Sequence, residues 1–254
     1  MSKINCLFTG DASVLIRRLF KFELIMSNKD TKNQQRWLPI ECNPDTMNKF
    51  LYQCGMPKKW CVTDVLGLDE TLLAMLSTPV LGIMLLYPLR SDEAIQESDG
   101  KYEDNPNVYF MKQTISNACG TVAMIHCIAN NLDTIKVEGG FLKSFLDQSM
   151  NKNAEERALI LEHDEDVCQS HDEVAREGQS AVPDRQDAVD YHFVALIQKD
   201  GVLYELDGRK SGPINRGTTS EDSFVVDAAL VCKKYMERDP GNINFSVLAL
   251  TSAE

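Results

Sequence analysis

The chain has 254 residues, and the 43% that are hydrophobic are enough to bury the core of one good-sized domain. Its 38 acidic and 26 basic side chains give a formal net charge of −12, which argues against nucleic acid as a partner because phosphate would be repelled. The charge favours a basic ligand or protein surface, although solubility alone would also account for it.

Targeting, membrane and redox signals are weak. Val14 to Ile25 mixes apolar and basic residues as a transit peptide would, but Asp11, Glu23 and the lack of a cleavage signature favour an appended, flexible extension over residues 1–33. No apolar run reaches the roughly 18 residues of a membrane span. The 8 cysteines show neither C-x-x-C nor zinc-finger spacing, so we expect no metal, no cofactor and a reducing compartment, the cytoplasm or also the nucleus.

The first strong helix signal is Asn43-Pro44-Asp45, where a capping side chain precedes a proline and an acid. Apolar residues follow at helical spacing as far as Cys54, and Gly55 ends the helix.

Three predicted elements and a loop follow this helix. Residues 61–65 favour a short strand, and Asp69 caps a helix over 70–76. Residues 80–89 are almost wholly apolar, which indicates a central strand buried on both faces. Residues 91–106 are polar and predict a loop.

Cys119 lies between small residues at the start of a predicted helix over residues 117–130. The amino end of a helix stabilises a thiolate, so this position favours a nucleophilic cysteine. Gln113, six residues upstream, can donate a hydrogen bond to an oxyanion. His126 is two helical turns beyond the cysteine, about 10.5 Å along the axis, and is expected to be a core or groove histidine.

An acidic segment follows two further predicted helices, over residues 141–150 and 153–163. Residues 162–190 have mostly acidic charges and little apolar content, and are predicted to form a long loop, functional or disordered. His163 and His171 lie in or beside this segment and are expected to be solvated.

The clearest hairpin joins residues 192–198 to residues 202–207 through a turn at Asp200-Gly201. A helix over about 220–238 and a strand over 243–250 complete the chain. Helices and strands alternate unevenly around this antiparallel hairpin, so we predict an α/β (α+β) domain with an antiparallel or mixed sheet.

The hairpin turn sets the strand register. Lys199 lies opposite Val202, so Asp207 lies opposite Val194, two residues from His192. His192 and Asp207 are then diagonal neighbours on one face of the hairpin. Either residue alone is often only a surface or turn residue, but beside a helix-start cysteine the pair predicts a thiol hydrolase.

Three stretches of this sequence closely resemble the ubiquitin carboxyl-terminal hydrolase family: residues 36–41, 113–121 and 203–210. The resemblance is to its short, single-domain members of the ubiquitous isozyme type, and it implies a catalytic domain over residues 34–254. It also implies a fold similar to papain-like cysteine proteases, with a central antiparallel sheet flanked by helices and a knotted backbone.

The resemblance implies a complete catalytic set. Cys119 would be the nucleophile, His192 the general base and acid, and Asp207 the residue that orients His192. Gln113 would donate to the oxyanion beside the backbone N–H of Cys119. The family's crossover loop maps to about 170–189, inside the acidic segment, and would limit the size of the leaving group.

The family substrate is ubiquitin, or a close ubiquitin-like relative, with a small or disordered group on its carboxyl-terminal glycine. The arginine-rich tail of ubiquitin suits an acidic chain. The resemblance implies that Glu41 and Asp64 bind substrate, with plain surface charge as the alternative, and that Trp37 is a packing residue near the cleft. We expect a monomer.

Two other functions remain open from the sequence. One is a non-enzymatic protein that binds and stabilises monoubiquitin, although the intact Cys, His, Asp and Gln set favours hydrolysis. The other is an unrelated papain-like peptidase, which would need an open cleft instead of a long acidic loop.

Overall fold

The computed structural model describes residues 35–89, 101–178 and 189–253. The predicted extension over residues 1–33 lies outside these residues, as do positions 91–100 of the predicted polar loop and positions 179–188 of the predicted crossover loop.

A seven-stranded sheet forms the centre of the described part of the chain. Its order is β1-β7-β2-β4-β5-β6-β3, and each pairing is antiparallel, as the hairpin signal predicted. The strands are β1 (Trp60–Asp64), β2 (Val80–Pro88), β3 (Lys101–Tyr102), β4 (Tyr191–Lys199), β5 (Val202–Leu206), β6 (Ile214–Thr218) and β7 (Ser246–Ser252).

Seven helices accompany the sheet in the described ranges. They are α1 (Pro44–Gln53), α2 (Glu70–Leu73), α3 (Cys119–Ala129), α4 (Gly140–Ser149), α5 (Ala154–Glu162), α6 (Glu165–Ala175) and α7 (Phe224–Glu237). The predicted caps are confirmed for α1 and α2, since the Asn43 side chain accepts from the Asp45 N–H and Asp69 accepts from the first turn of α2. The α2 helix ends three residues earlier than predicted.

The core is built on both faces of β2, which lies between β7 and β4. On one face, apolar side chains of β2, β4 and β7 pack against α7. On the other face α3 covers β2 and β4, and its Cys127 side chain closely approaches Gly82. The prediction of a central strand buried on both faces is therefore confirmed, and α3, which begins with Cys119, packs directly on the sheet.

The predicted hairpin register is confirmed. Lys199 pairs with Val202 and Ala195 with Leu206, which puts Asp207 just beyond the end of β5. Asp200 and Gly201 have φ angles of 52° and 77°, as a type I′ turn requires at both central positions.

The acidic segment differs from its prediction, because its first part is the helix α6 and not a loop. Asp164 caps the helix by accepting from the Val167 N–H, and two acids in its first turn favour the helix dipole. Val167, His171 and Val174 recur at helical spacing and are buried. The many acids on the outer face obscured this apolar stripe in the sequence.

Smaller differences concern short or irregular elements. The strands β3 and β6 were not predicted, and the last strand begins at Ser246 instead of residue 243. None of the helices in the described ranges combines the length and apolar character that crossing a membrane requires.

Candidate active site

The predicted His192–Asp207 pair is present. Nε2 of His192 lies 2.7 Å from Oδ1 of Asp207, and the two side chains are only 1% and 2% exposed. A carboxylate can only accept, so Nε2 carries the proton and donates it. The same Oδ1 accepts from the Arg209 N–H at 2.9 Å, which fixes the orientation of the carboxylate.

The environment of this pair shifts both pKa values in the direction of an ion pair. Burial alone would raise the pKa of Asp207, but the hydrogen bond and charge of His192 outweigh it and hold the pKa below its usual range. Burial would lower the pKa of His192, yet Asp207 and then Cys119 raise it to about 9. The imidazolium is therefore the stable form of this ring near neutral pH.

Cys119 is the first residue of α3 and is 8% exposed. Burial would raise the pKa of its thiol, but His192, the Phe193 N–H and the Arg209 charge together bring it below the usual range. Nδ1 of His192 has no hydrogen bond of regular geometry within the described residues. The ring and the thiol nevertheless interact, since each shifts the pKa of the other.

The backbone before Cys119 is held in an unusual conformation. Asn117 has a φ of 66°, a left-handed value that asparagine adopts more readily than most residues. Its Nδ2 donates to the Trp37 carbonyl at 3.0 Å, and the Trp37 N–H donates to the Ser116 carbonyl at 3.0 Å. No side chain caps α3, so these tertiary hydrogen bonds determine where the helix begins and where Cys119 lies.

Gln113 is connected to the same site through the loop that follows Asp207. Its backbone N–H donates to the Gly208 carbonyl at 2.9 Å, and its Nε2 donates to the Ile115 carbonyl at 3.1 Å. A side-chain amide has two N–H hydrogens, so one remains to donate to an oxyanion. A Cβ at position 208 would lie 2.8 Å from Cβ of Gln113, so glycine is required for this approach.

The two predicted substrate-binding acids lie outside this cluster. Asp64 ends β1 and is exposed. Glu41 is partly buried beside Gly178, where a Cβ would lie 2.5 Å from its Oε2. Lys49 and Glu177 form an ion pair next to this contact. The substrate-binding roles of the two acids stay predictions.

The other histidines have structural environments. His126 accepts from the Met111 N–H at 3.0 Å and stacks on Phe110, and burial lowers its pKa to about 4, so the prediction of a core histidine is confirmed. His171 was predicted to be solvated, which is wrong because the ring is fully buried. Trp37, predicted to be a packing residue, is fully buried and contacts His171.

Three residues of the site carried no decisive sequence signal. Asparagine tolerates the left-handed conformation, which was the only hint of the special backbone at Asn117. Gly208, which follows Asp207, suggested only a turn. The helical spacing of His171 with Val167 and Val174 was the available signal for its burial. No cluster of three His, Cys, Asp or Glu side chains suited to a metal ion occurs in the described ranges.

Comparison with known proteins finds a matching family model and several similar relatives. The family model described as "Ubiquitin carboxyl-terminal hydrolase, family 1" matches residues 37–237. A ubiquitin carboxyl-terminal hydrolase of Drosophila melanogaster is 41% identical over 225 residues, covering 86% of this chain and 98% of that protein. One from Aplysia californica is 45% identical, covering 82% and 98%, and isozyme L1 of Rattus norvegicus is 43% identical, covering 85% and 98%.

A solved structure is similar in fold. It is the catalytic domain of Trichinella spiralis UCH37 bound to ubiquitin vinyl methyl ester, with a TM-score of 0.70 and 25% identity. The match covers 87% of this chain and 97% of that one. This likeness identifies the described sheet and helices as the papain-like α/β fold.

Proposed function

The chain belongs to the ubiquitin carboxyl-terminal hydrolase family 1 and is a cysteine deubiquitinase, and we propose that Cys119, His192, Asp207 and Gln113 perform its reaction. One observation carries the proposal: the buried His192–Asp207 pair lies against a helix-start thiol whose pKa it lowers in spite of burial.

Acylation follows from the charge state of the site. The Cys119 thiolate attacks the carbonyl carbon of the substrate's terminal glycine, and the carbonyl oxygen becomes an oxyanion. The second Nε2 hydrogen of Gln113 and the backbone N–H of Cys119 donate to that oxyanion. His192 gives its Nδ1 proton to the leaving amine, alcohol or thiol as the bond to glycine breaks, and a thioester remains on Cys119.

Deacylation uses the same groups in reverse order. Neutral His192 takes a proton from water at Nδ1, and the resulting hydroxide attacks the thioester carbonyl. The second tetrahedral intermediate collapses to the carboxylic acid, which loses its proton to solvent, and to the Cys119 thiolate, which pairs again with the imidazolium. Asp207 keeps Nε2 protonated throughout, so Nδ1 is the nitrogen that exchanges protons.

Ubiquitin is the substrate that we propose, with a ubiquitin-like relative as a second candidate. The family description names it, and the acidic chain suits a basic ubiquitin tail. Glu41 and Asp64 are proposed to meet basic groups of that substrate. The leaving group is proposed to be a small adduct or a peptide tail, so the enzyme should release such groups rapidly but cleave folded diubiquitin slowly. Equal rates on both would refute this restriction.

The decisive experiment is reaction with ubiquitin carrying a carboxyl-terminal electrophile, followed by mass mapping of the labelled residue. Cys119 should be labelled, and Cys119→Ala should remain folded, bind ubiquitin and show no turnover. Cys42→Ala is the matched control, because Cys42 is a partly buried thiol whose pKa burial raises to about 12, and it should turn over normally. Turnover by Cys119→Ala would refute the proposal.

The competing function, a protein that only binds and stabilises monoubiquitin, finds no support in the relatives. Turnover measured beside affinity separates the two, since a pure binder would show tight binding and no product. We further propose the cytoplasm as the site of action, with the nucleus as the alternative, because a catalytic thiol must stay reduced. Cell fractionation with an antibody to the chain tests this location.

A further inference from the structure

A third buried histidine lies near the nucleophile and takes no part in the proposed chemistry. His171 belongs to α6 and is 0% exposed. Burying an imidazole is costly unless its nitrogens are hydrogen-bonded, so its partners indicate what the ring does.

Both ring nitrogens of His171 have partners from distant parts of the chain. Nε2 lies 2.6 Å from the Leu38 carbonyl, and Nδ1 lies 2.8 Å from Oγ1 of Thr121. A carbonyl can only accept, so Nε2 carries a proton. In the neutral ring Nδ1 then accepts from the Thr121 hydroxyl. The ring also packs against Trp37, with centroids 4.5 Å apart, and edge-on against Phe50.

Thr121 connects His171 to the nucleophile. It lies in the first turn of α3, two residues after Cys119, and is fully buried. Residues 37–38 provide the second connection, because Trp37 is hydrogen-bonded to Ser116 and Asn117, which lie three and two residues before Cys119. His171 therefore connects two segments. One is residues 37–38, which hold the chain before Cys119, and the other is the first turn of α3 after Cys119.

We propose that His171 is a positioning residue that, through Thr121 and Leu38, holds Cys119 at the correct distance from His192. The α3 amino end has no side-chain cap of its own, so its position depends on such tertiary bonds. A misplacement of about 1 Å in a catalytic group can cost roughly 10²-fold in rate. The proposal rests on the nucleophilic role of Cys119 given above.

The sharpest test changes one hydroxyl. Thr121→Val keeps the side-chain shape but removes the bond to His171, whereas Thr121→Ser keeps the hydroxyl. Thr121→Val should lower kcat about tenfold while KM for a ubiquitin carboxyl-terminal amide changes less than twofold. Thr121→Val should also slow the alkylation of Cys119 by iodoacetamide, a rate that mass mapping of the labelled cysteine measures. Thr121→Ser should recover most of both rates.

Substitution of His171 itself is an independent test of the positioning role. His171→Phe retains an aromatic contact with Trp37 but loses both hydrogen bonds, and should lower kcat at least as much as Thr121→Val. The control is His163→Phe, because His163 is exposed at the end of α5 and its Nδ1 bonds the nearby Leu159 carbonyl. Its kcat should equal that of the unmodified enzyme.

A purely structural role would give a different result. If Thr121→Val and Thr121→Ser lowered the melting temperature equally and left kcat unchanged well below it, the inference would be wrong. A loss confined to KM would also overturn it. Turnover by Cys119→Ala would instead refute the proposed function, so the two failures are distinguishable.

Discussion

Replacing Asp207 with asparagine should move the pH dependence of the enzyme. Oδ1 of Asp207 accepts from both His192 and the Arg209 N–H, and asparagine retains one oxygen of the same shape. The substitution therefore removes the charge while the surrounding groups can keep their positions.

The magnitude follows from the pKa of His192, which is raised from 6.5 to about 9 chiefly by Asp207, against the effect of burial. That difference corresponds to about 3 kcal/mol of preference for the charged ring. Without the carboxylate charge the pKa should fall to about 6.5 or below, so the charged fraction at pH 7.5 drops from about 97% to about 10%. This change alone costs about tenfold.

Misorientation of the ring adds to this loss. If the asparagine NH₂ faces the imidazole, the proton moves to the wrong nitrogen, and Nδ1 can no longer accept a proton from water. Together with the lower charged fraction, we expect kcat to fall by about 10²–10³-fold at pH 7.5.

The assay is kcat/KM for a fluorogenic ubiquitin carboxyl-terminal amide between pH 5 and pH 10. The unmodified enzyme should lose activity as pH rises through about 9, because the imidazolium deprotonates there. Asp207→Asn should lose activity at least about 2.5 pH units lower. Asp200→Asn, at the opposite end of the same hairpin, is the control and should leave the profile unchanged. An unchanged alkaline limb in Asp207→Asn would refute the reasoning.

Four further predictions test other parts of the site. Gln113→Ala should lower kcat by about 10²–10³-fold with little change in ubiquitin affinity, and a change mainly in KM would assign it to substrate positioning. Gly208→Ala places a Cβ 2.8 Å from Gln113 and should cost about 1–3 kcal/mol in denaturant unfolding; unchanged stability would contradict the packing. Gly178→Ala displaces Glu41 and should raise KM severalfold at constant kcat, or else Glu41 does not bind substrate. Raising ionic strength to physiological levels should lower kcat/KM through slower association. A salt-independent rate would mean that the net charge serves only solubility.

The buried histidines show how environment assigns different roles to one side chain. His126 is kept neutral by burial, which lowers its pKa to about 4. His192 is equally buried but has a carboxylate and a thiol beside it, and its pKa is raised to about 9. His171 lies between a carbonyl and a hydroxyl and serves as a hydrogen-bonded connection. All three rings are buried, so the differences between them come from the neighbours of each ring.

Local signals in the sequence predicted much of the fold and the residues that we propose for the chemistry. The caps of α1 and α2, the hairpin turn and the register that brings His192 to Asp207 each depend on a few neighbouring residues, whose dihedral preferences and side-chain alternation are intrinsic. Cys119 and Gln113 were likewise proposed from one short stretch. These features are readable because the physical cause lies within a few residues along the chain.

The remaining features depend on contacts between residues far apart in the sequence. His171 bonds Leu38, 133 positions away, and its burial could not be inferred from the acidic residues around it. The approach of Gly208 to Gln113 and the placement of Asn117 by Trp37 have the same origin. Burial and long-range hydrogen bonds exist only once the sheet and α3 have packed, so tertiary structure alone decided how the proposed catalytic residues are supported.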